Sequence, residues 1–167
     1  LQKDLSEFIL ERLKNYLKEK QIRNDIIESS MNISNIDEIL KIYKKSLALN
    51  KNIKKDFGKD VISIYKRSSN ILNSEKENFS EIIGLADPGL FKSDFEKNLY
   101  KRIHDIKKYF SSIGKSENYD ESLKTLSLAK NEIDAFFANV IVNDNDPIIK
   151  KNRLELLKML CKSFENY

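Results

Sequence analysis

The residues able to do chemistry in this 167-residue chain are few and poorly matched to one another. The one histidine, His104, cannot build an imidazole cluster around a metal; beside Lys107 and Lys108 it reads as a surface residue. The one cysteine, Cys161, has no second thiol to pair with and no neighbouring histidine to activate it, so it reads as packing in an apolar stripe. Adjacent carboxylates occur as Asp37 with Glu38 and Asp120 with Glu121. Both pairs fall at helix starts, where the helix dipole favours negative charge, and capping explains them without acid–base work. Neither a GxxxxGK[ST] loop nor a GxGxxG turn is present, which closes those routes to a bound nucleotide cofactor. The inventory supports no catalytic residue, no metal site and no cofactor within the chain.

What remains is charge and planarity. Thirty basic residues face 26 acidic ones, for a net charge of +4. That balance permits an anionic partner without demanding one, and much of the lysine reads as solvated helix surface. Arginine is scarcer: Arg12, Arg23, Arg67, Arg102 and Arg153. Tyr65, Tyr100 and Tyr119 have rings able to stack on bases, although helical spacing suits them equally to a core.

The elements that must position these groups are helices. Four glycines, two prolines and no tryptophan leave few interruptions. Apolar residues recur at helical spacing as Leu5, Phe8, Ile9, Leu13, Tyr16 and Leu17, then as Ile36, Ile39, Leu40, Tyr43 and Leu47. A short helix is expected over residues 24–31, and Ser34 or Asn35 as the cap of the stripe that follows. Val61, Ile64, Tyr65 and Leu72 mark a further helix. Residues 74–92 read as a long connection with one helical turn near 79–83. The box Ser93-x-x-Glu96 opens the next helix, and Gly114 closes it. One continuous helix is expected from Asn118 through Val140, and a last one capped by Asp146 with Pro147 at its first position. The expectation is an all-α bundle of about six to seven helices, forming a single domain over residues 1–167. No apolar run reaches the roughly 18–20 residues that span a bilayer. No signal-peptide pattern occurs, and the lone cysteine fits a reducing compartment, so a cytoplasmic location is expected. Because the chain opens at Leu1 rather than Met, it is expected to be a fragment of a longer polypeptide.

Two segments say more than "bundle". Phe136-Phe137 closes one helix, Val140-Ile141-Val142 forms a β-branched corner, and an Asp146-capped helix returns with Asn152-Arg153-Leu154-x-Leu156-Leu157. Upstream, Phe8-Ile9-Leu10-Glu11-Arg12-Leu13 precedes Arg23-Asn24-Asp25-Ile26-Ile27, and Lys66-Arg67-x-x-Asn70-Ile71-Leu72 follows. In this order the motifs resemble the C-terminal anticodon-binding domain of the bacterial glycyl-tRNA synthetase beta subunit. That domain type is shared with arginyl-tRNA synthetases and named for an Asp-Ala-Leu-Arg sequence. Here the corresponding stretch is Asp146-Pro147-Ile148-Ile149-Lys150, in which lysine keeps the charge but lacks the planar fork that grips phosphate bidentately. Nothing is carried over from residues 74–115, where motif content is least.

The resemblance implies a tRNA-binding module in an enzyme that joins glycine to tRNA-Gly. ATP, with Mg, would be bound in the alpha subunit of an alpha/beta assembly, and the partners would be tRNA-Gly and that alpha subunit, with no membrane. Such a module needs cations for phosphates and polar groups for splayed bases. Lys66, Arg67, Lys150, Lys151 and Arg153 are the expected phosphate contacts, and Asn70 and Asn152 the expected base or sugar contacts. These assignments require the 140–147 corner to leave the lysine-bearing start of the last helix facing outward. Two alternatives stand: the equivalent domain of an arginyl-type synthetase, and a non-enzymatic bundle that docks another protein.

Overall fold

A computed structural model describes residues 2–24, 26–27, 39–75, 81–113 and 118–164. Among the described residues the secondary structure is helical throughout: α1 (Gln2–Glu19), α2 (Ile39–Asn52), α3 (Asp56–Ser74), a 3-10 turn (Pro88–Leu90), α4 (Asp94–Ile113), α5 (Tyr119–Ser127), α6 (Lys130–Asn139) and α7 (Pro147–Ser163). The bundle expected from apolar spacing is present. The expected cap at Ser34 or Asn35, the paired acids Asp37 and Glu38, and the helix-ending Gly114 lie outside the described residues. Of the short helix expected over 24–31, Asn24, Ile26 and Ile27 are helical, and both isoleucines are buried.

Helix α3 is the hub. Val61, Ile64 and Leu72 face inward, and the helix packs on α7, α5, α6 and α2. Helix α4 packs on α6 and α7, and α1 leans on α2. Leu17, Leu49, Leu99, Ile103, Leu123, Phe136, Leu156 and Leu160 meet in one core, removing apolar surface from water at about 25 cal/mol per Å². A tight approach sets the α2–α3 turn. A Cβ built on Gly58 would lie 2.1 Å from the Asn52 carbonyl oxygen, so only glycine fits there.

The helix starts obey their capping chemistry. Asp146 Oδ1 accepts from the Ile148 amide at 2.9 Å, with Pro147 at the first helical position. Asn118 Oδ1 accepts from the Glu121 amide at 3.2 Å. At Ser93 and Glu96 the box closes both ways: Glu96 Oε2 accepts from the Ser93 amide at 2.8 Å, and Ser93 Oγ accepts from the Glu96 amide at 3.4 Å.

Two expectations are corrected. The helix from Asn118 to Val140 is two helices, interrupted at Leu128 and Ala129, whose amides bond three residues back to Thr125 and Leu126. Of the turn expected near 79–83, residues 79 and 80 lie outside the described residues and 81–83 are not helical; among the described residues of this connection the turn is the 3-10 turn capped by Asp87, with Pro88 at its first position.

Candidate nucleic-acid interface

The connection from residue 81 to 91 is bound to α7 by side chains spaced one helical turn apart. Glu155 Oε2 accepts from the amides of Gly84 (2.5 Å) and Leu85 (3.0 Å), and Met159 Sδ accepts from the amide of Ala86 (3.4 Å). Asn152 clasps the Asp87 backbone through both of its polar groups. Its Oδ1 accepts from the Asp87 amide at 2.7 Å, and its Nδ2 donates to the Asp87 carbonyl at 3.0 Å. Gly84 turns the chain with φ +77°, and a side chain there would press on Lys158 and Met159.

Arg153 is buried one residue further on. Its Nε donates to Glu96 Oε1 at 2.8 Å, and its Nη1 donates to Asp144 Oδ2 at 2.5 Å and to the Ile141 carbonyl at 2.8 Å. One arginine therefore joins α7, the start of α4 and the 140–146 corner. Burial works against both charges. Hydrogen bonds from Arg153, Ser93 and the Lys92 amide nevertheless win at Glu96 and hold its carboxyl below the usual range. For Arg153, burial opposes the charge first, and the bonds to Glu96 and Asp144 overcome it and raise the pKa. Asp144 is held low by the Asp146 amide and then by Arg153.

These contacts turn part of the expected site inward. Arg153 is turned inward: its Nε and Nη1 are committed to Glu96, Ile141 and Asp144, and little of the side chain reaches solvent. Asn152 is not available to a base edge, because both ends of its amide hold Asp87. Lys150 Nζ lies 2.7 Å from Glu75 Oε2, and the two side chains are only 15% and 16% exposed, so this lysine ties the end of α3 to the start of α7. Of these four neighbours Lys151 alone points outward. It borders an open cavity of about 500 Å³ whose walls include Ile83, Leu85, Leu90 and Ile148. The outward-facing start of the last helix is reduced to one cation.

The residues expected on α3 fare differently. Lys66, Arg67 and Asn70 are all exposed. The Arg67 guanidinium lies over the Phe137 ring, 4.1 Å from its centroid, with Asp134 Oδ1 3.7 Å away. Such a stack holds a planar cation at the surface, half of it open to solvent. Phe137, read as one of a helix-closing aromatic pair, is the part of this site that sequence reasoning missed. Also missed was a stripe: Lys59, Ser63, Lys66, Asn70 and Asn73 recur at steps of four and three residues and are all exposed. They line one face of α3 over about 21 Å at 1.5 Å per residue. Asp56 continues the same spacing one step earlier and pairs with Lys59 at 3.3 Å, and Asp60 flanks the first turn. The helical spacing of these polar residues was the signal that could have found it.

The three tyrosines considered for base stacking pack against the core instead. Tyr65 meets Phe164 edge-on at 5.4 Å, and Tyr100 meets Phe91 in the same way at 5.4 Å. His104 is exposed, its Nδ1 3.0 Å from the Tyr100 carbonyl oxygen, and Cys161 is buried. Among the described residues no group of three or more His, Cys, Asp or Glu could hold a metal ion. Among the same residues no helix is long and apolar enough to cross a membrane.

Comparison with known proteins gives this geometry a family. A profile described as the DALR anticodon binding domain matches residues 61–167. The glycine–tRNA ligase beta subunit of Rickettsia felis is 34% identical over 98% of this chain and 23% of its own length. The same-named protein of Rickettsia africae is 35% identical over 95% of this chain and 22% of its own. That of Rickettsia prowazekii is 40% identical over 66% of the chain and 16% of its own. The chain thus spans less than a quarter of the curated relatives it matches. With the profile covering α3 through α7 and the relatives covering nearly the whole length, the chain belongs to the DALR anticodon-binding domain family.

Proposed function

We propose that this chain is a non-catalytic tRNA-holding domain of a cytoplasmic glycine–tRNA ligase beta subunit. It grips the anticodon arm of tRNA-Gly while glycylation proceeds elsewhere in an alpha/beta assembly. ATP and Mg belong to the alpha subunit in this reading. Residues 1–167 act as one domain of the longer polypeptide.

The observation that carries the reading is the exposed face of α3, where Arg67 stacks on Phe137 beside Lys66 and Asn70. Cations along one edge of a helix suit phosphates, and a surface-held guanidinium plane suits an unstacked base. Lys151 adds one further cation at the start of α7. Family membership supports an RNA partner over an unrelated anion. One observation favours a second reading, a bundle that docks protein: Ile83, Leu85 and Ile148 are exposed at one side of α7. The arginyl-type alternative has less support, because the relatives described above are glycine–tRNA ligase beta subunits.

A gel-shift titration with tRNA-Gly and a non-cognate tRNA tests the reading. Tighter binding of tRNA-Gly, weakened steeply by salt, is the expected result. Equal affinity for both removes anticodon reading, and salt-insensitive binding points to the protein-docking alternative.

A further inference from the structure

An open cavity of about 730 Å³ lies at the N-terminal end of the α3 stripe, lined by Arg23, Ile53, Lys54, Lys59, Ile62 and Ser63. Its parts come from three places: the stretch after α1, the α2–α3 turn, and the first two turns of α3. The close approach at Gly58 folds that turn against the helix and brings Ile53 and Lys54 to the cavity. Ile62 is buried and Ile53 half-buried, which makes the base of the cavity aliphatic. Arg23, Lys54, Lys59 and Ser63 are exposed around it. Among the described residues no carboxylate lines it. The acids of the adjoining turn are Asp56, in an exposed pair with Lys59 at 3.3 Å, and Asp60.

We infer that this cavity takes a nucleotide of the bound RNA, its base against Ile53 and Ile62 and its phosphate at Lys54 and Lys59. An inorganic anion has no use for the aliphatic base, and an apolar ligand has none for the cations. A group with a flat apolar face and an attached phosphate uses both. The strand source follows from continuity, because Lys59 and Ser63 belong both to this cavity and to the stripe that leads to Lys66 and Asn70. Four of the six lining residues precede residue 61, so the cavity lies largely outside the span of the matched family profile. The inference rests on the RNA-binding reading above and enlarges its footprint toward α1.

The test uses the whole chain with a tRNA-Gly transcript carrying 4-thiouridine. Ultraviolet cross-linking is followed by peptide mapping, alongside affinity measurements on the Lys54→Glu/Lys59→Glu variant. Both positions are exposed, and an unchanged circular dichroism spectrum confirms that the variant folds. The expected result is an adduct within residues 53–63 that the variant loses, with affinity reduced roughly tenfold or more at 0.1 M salt. A wild-type chain that binds no RNA overturns the earlier reading and this one together. A wild-type chain that binds, with the variant binding equally and no adduct in residues 53–63, overturns this inference alone. Weaker binding without an adduct leaves phosphate contact and removes the seated base. Competition by millimolar ATP would instead make the cavity a site for free nucleotides, contrary to the inference.

Discussion

Arg153 and Glu96 lie 57 residues apart in sequence and meet at 2.8 Å, the glutamate side chain fully buried and the arginine side chain 8% exposed. Glu96 uses its two oxygens for different tasks: Oε2 caps its own helix, and Oε1 receives the arginine of α7. A residue legible as a helix cap is therefore also an anchor between helices. Removing one partner strands a buried charge. Arg153→Met or Glu96→Gln is expected to cost about 3–5 kcal/mol in urea unfolding. The double variant is expected to cost less than the sum of the two.

The same pair makes stability depend on acid. Glu96 and Asp144 have folded pKa values below their ordinary 4.5 and 3.8, so the unfolded chain binds protons more readily than the folded one. Their contribution is fully present above the ordinary carboxylate range and is lost as pH falls through the depressed folded values. Thermal unfolding from pH 7 to pH 3 is expected to show a Tm that is flat at first and then drops below about pH 4.5. In Glu96→Gln the drop is shallower. An identical drop in both proteins would place the acid sensitivity elsewhere.

Asn152 and Gly84 hold the 81–91 connection, so their variants should lose stability rather than RNA. Asn152→Ala leaves the Asp87 backbone without its partners, at about 1–3 kcal/mol. Gly84→Ala forces a side chain into φ +77°, at about 1–2 kcal/mol. Each kcal/mol should appear as a Tm lower by roughly 2–4 °C. Affinity for tRNA-Gly, measured well below the transition, should match the wild type. A large affinity loss at Asn152→Ala with Tm preserved would restore it as a contact residue.

The two lysines at the start of α7 separate structure from contact. Lys150→Ala breaks the pair with Glu75 and is expected to cost up to about 1 kcal/mol while the salt slope of RNA binding stays unchanged. Lys151→Ala is expected to leave stability alone and flatten that slope by roughly 0.7–0.9, as one lost phosphate contact should. Lys66→Ala with Arg67→Ala should flatten it by about twice that amount. The reverse pattern at the two lysines would mean that the outward residue has been misassigned.

Much of this fold was legible in the sequence because it is written in local chemistry. Helical spacing marked α3, α4 and α7, and Ser93, Asn118 and Asp146 marked three helix starts. The break at Leu128 was not legible. Leu126 and Ile133 stay in phase seven residues apart, and neither glycine nor proline announces the interruption. The exposure of the candidate site residues was half legible. Lys66, Arg67 and Asn70 face outward as expected. Asn152 and Arg153 do not, because their partners Asp87 and Glu96 lie 65 and 57 residues away and are met only through folding. Residue type shows that a side chain can hold a phosphate; only packing decides whether it is already occupied.

The central claim is that RNA lies along the outer face of α3. It is tested most directly by titrating the isotope-labelled chain with the anticodon stem–loop of tRNA-Gly and following its backbone amide resonances. The account predicts that the largest shifts cluster over residues 59–73 and at Phe137, with residues 152–155 and the 81–91 connection nearly still. Shifts concentrated on those α7 and loop residues, with α3 silent, would contradict it.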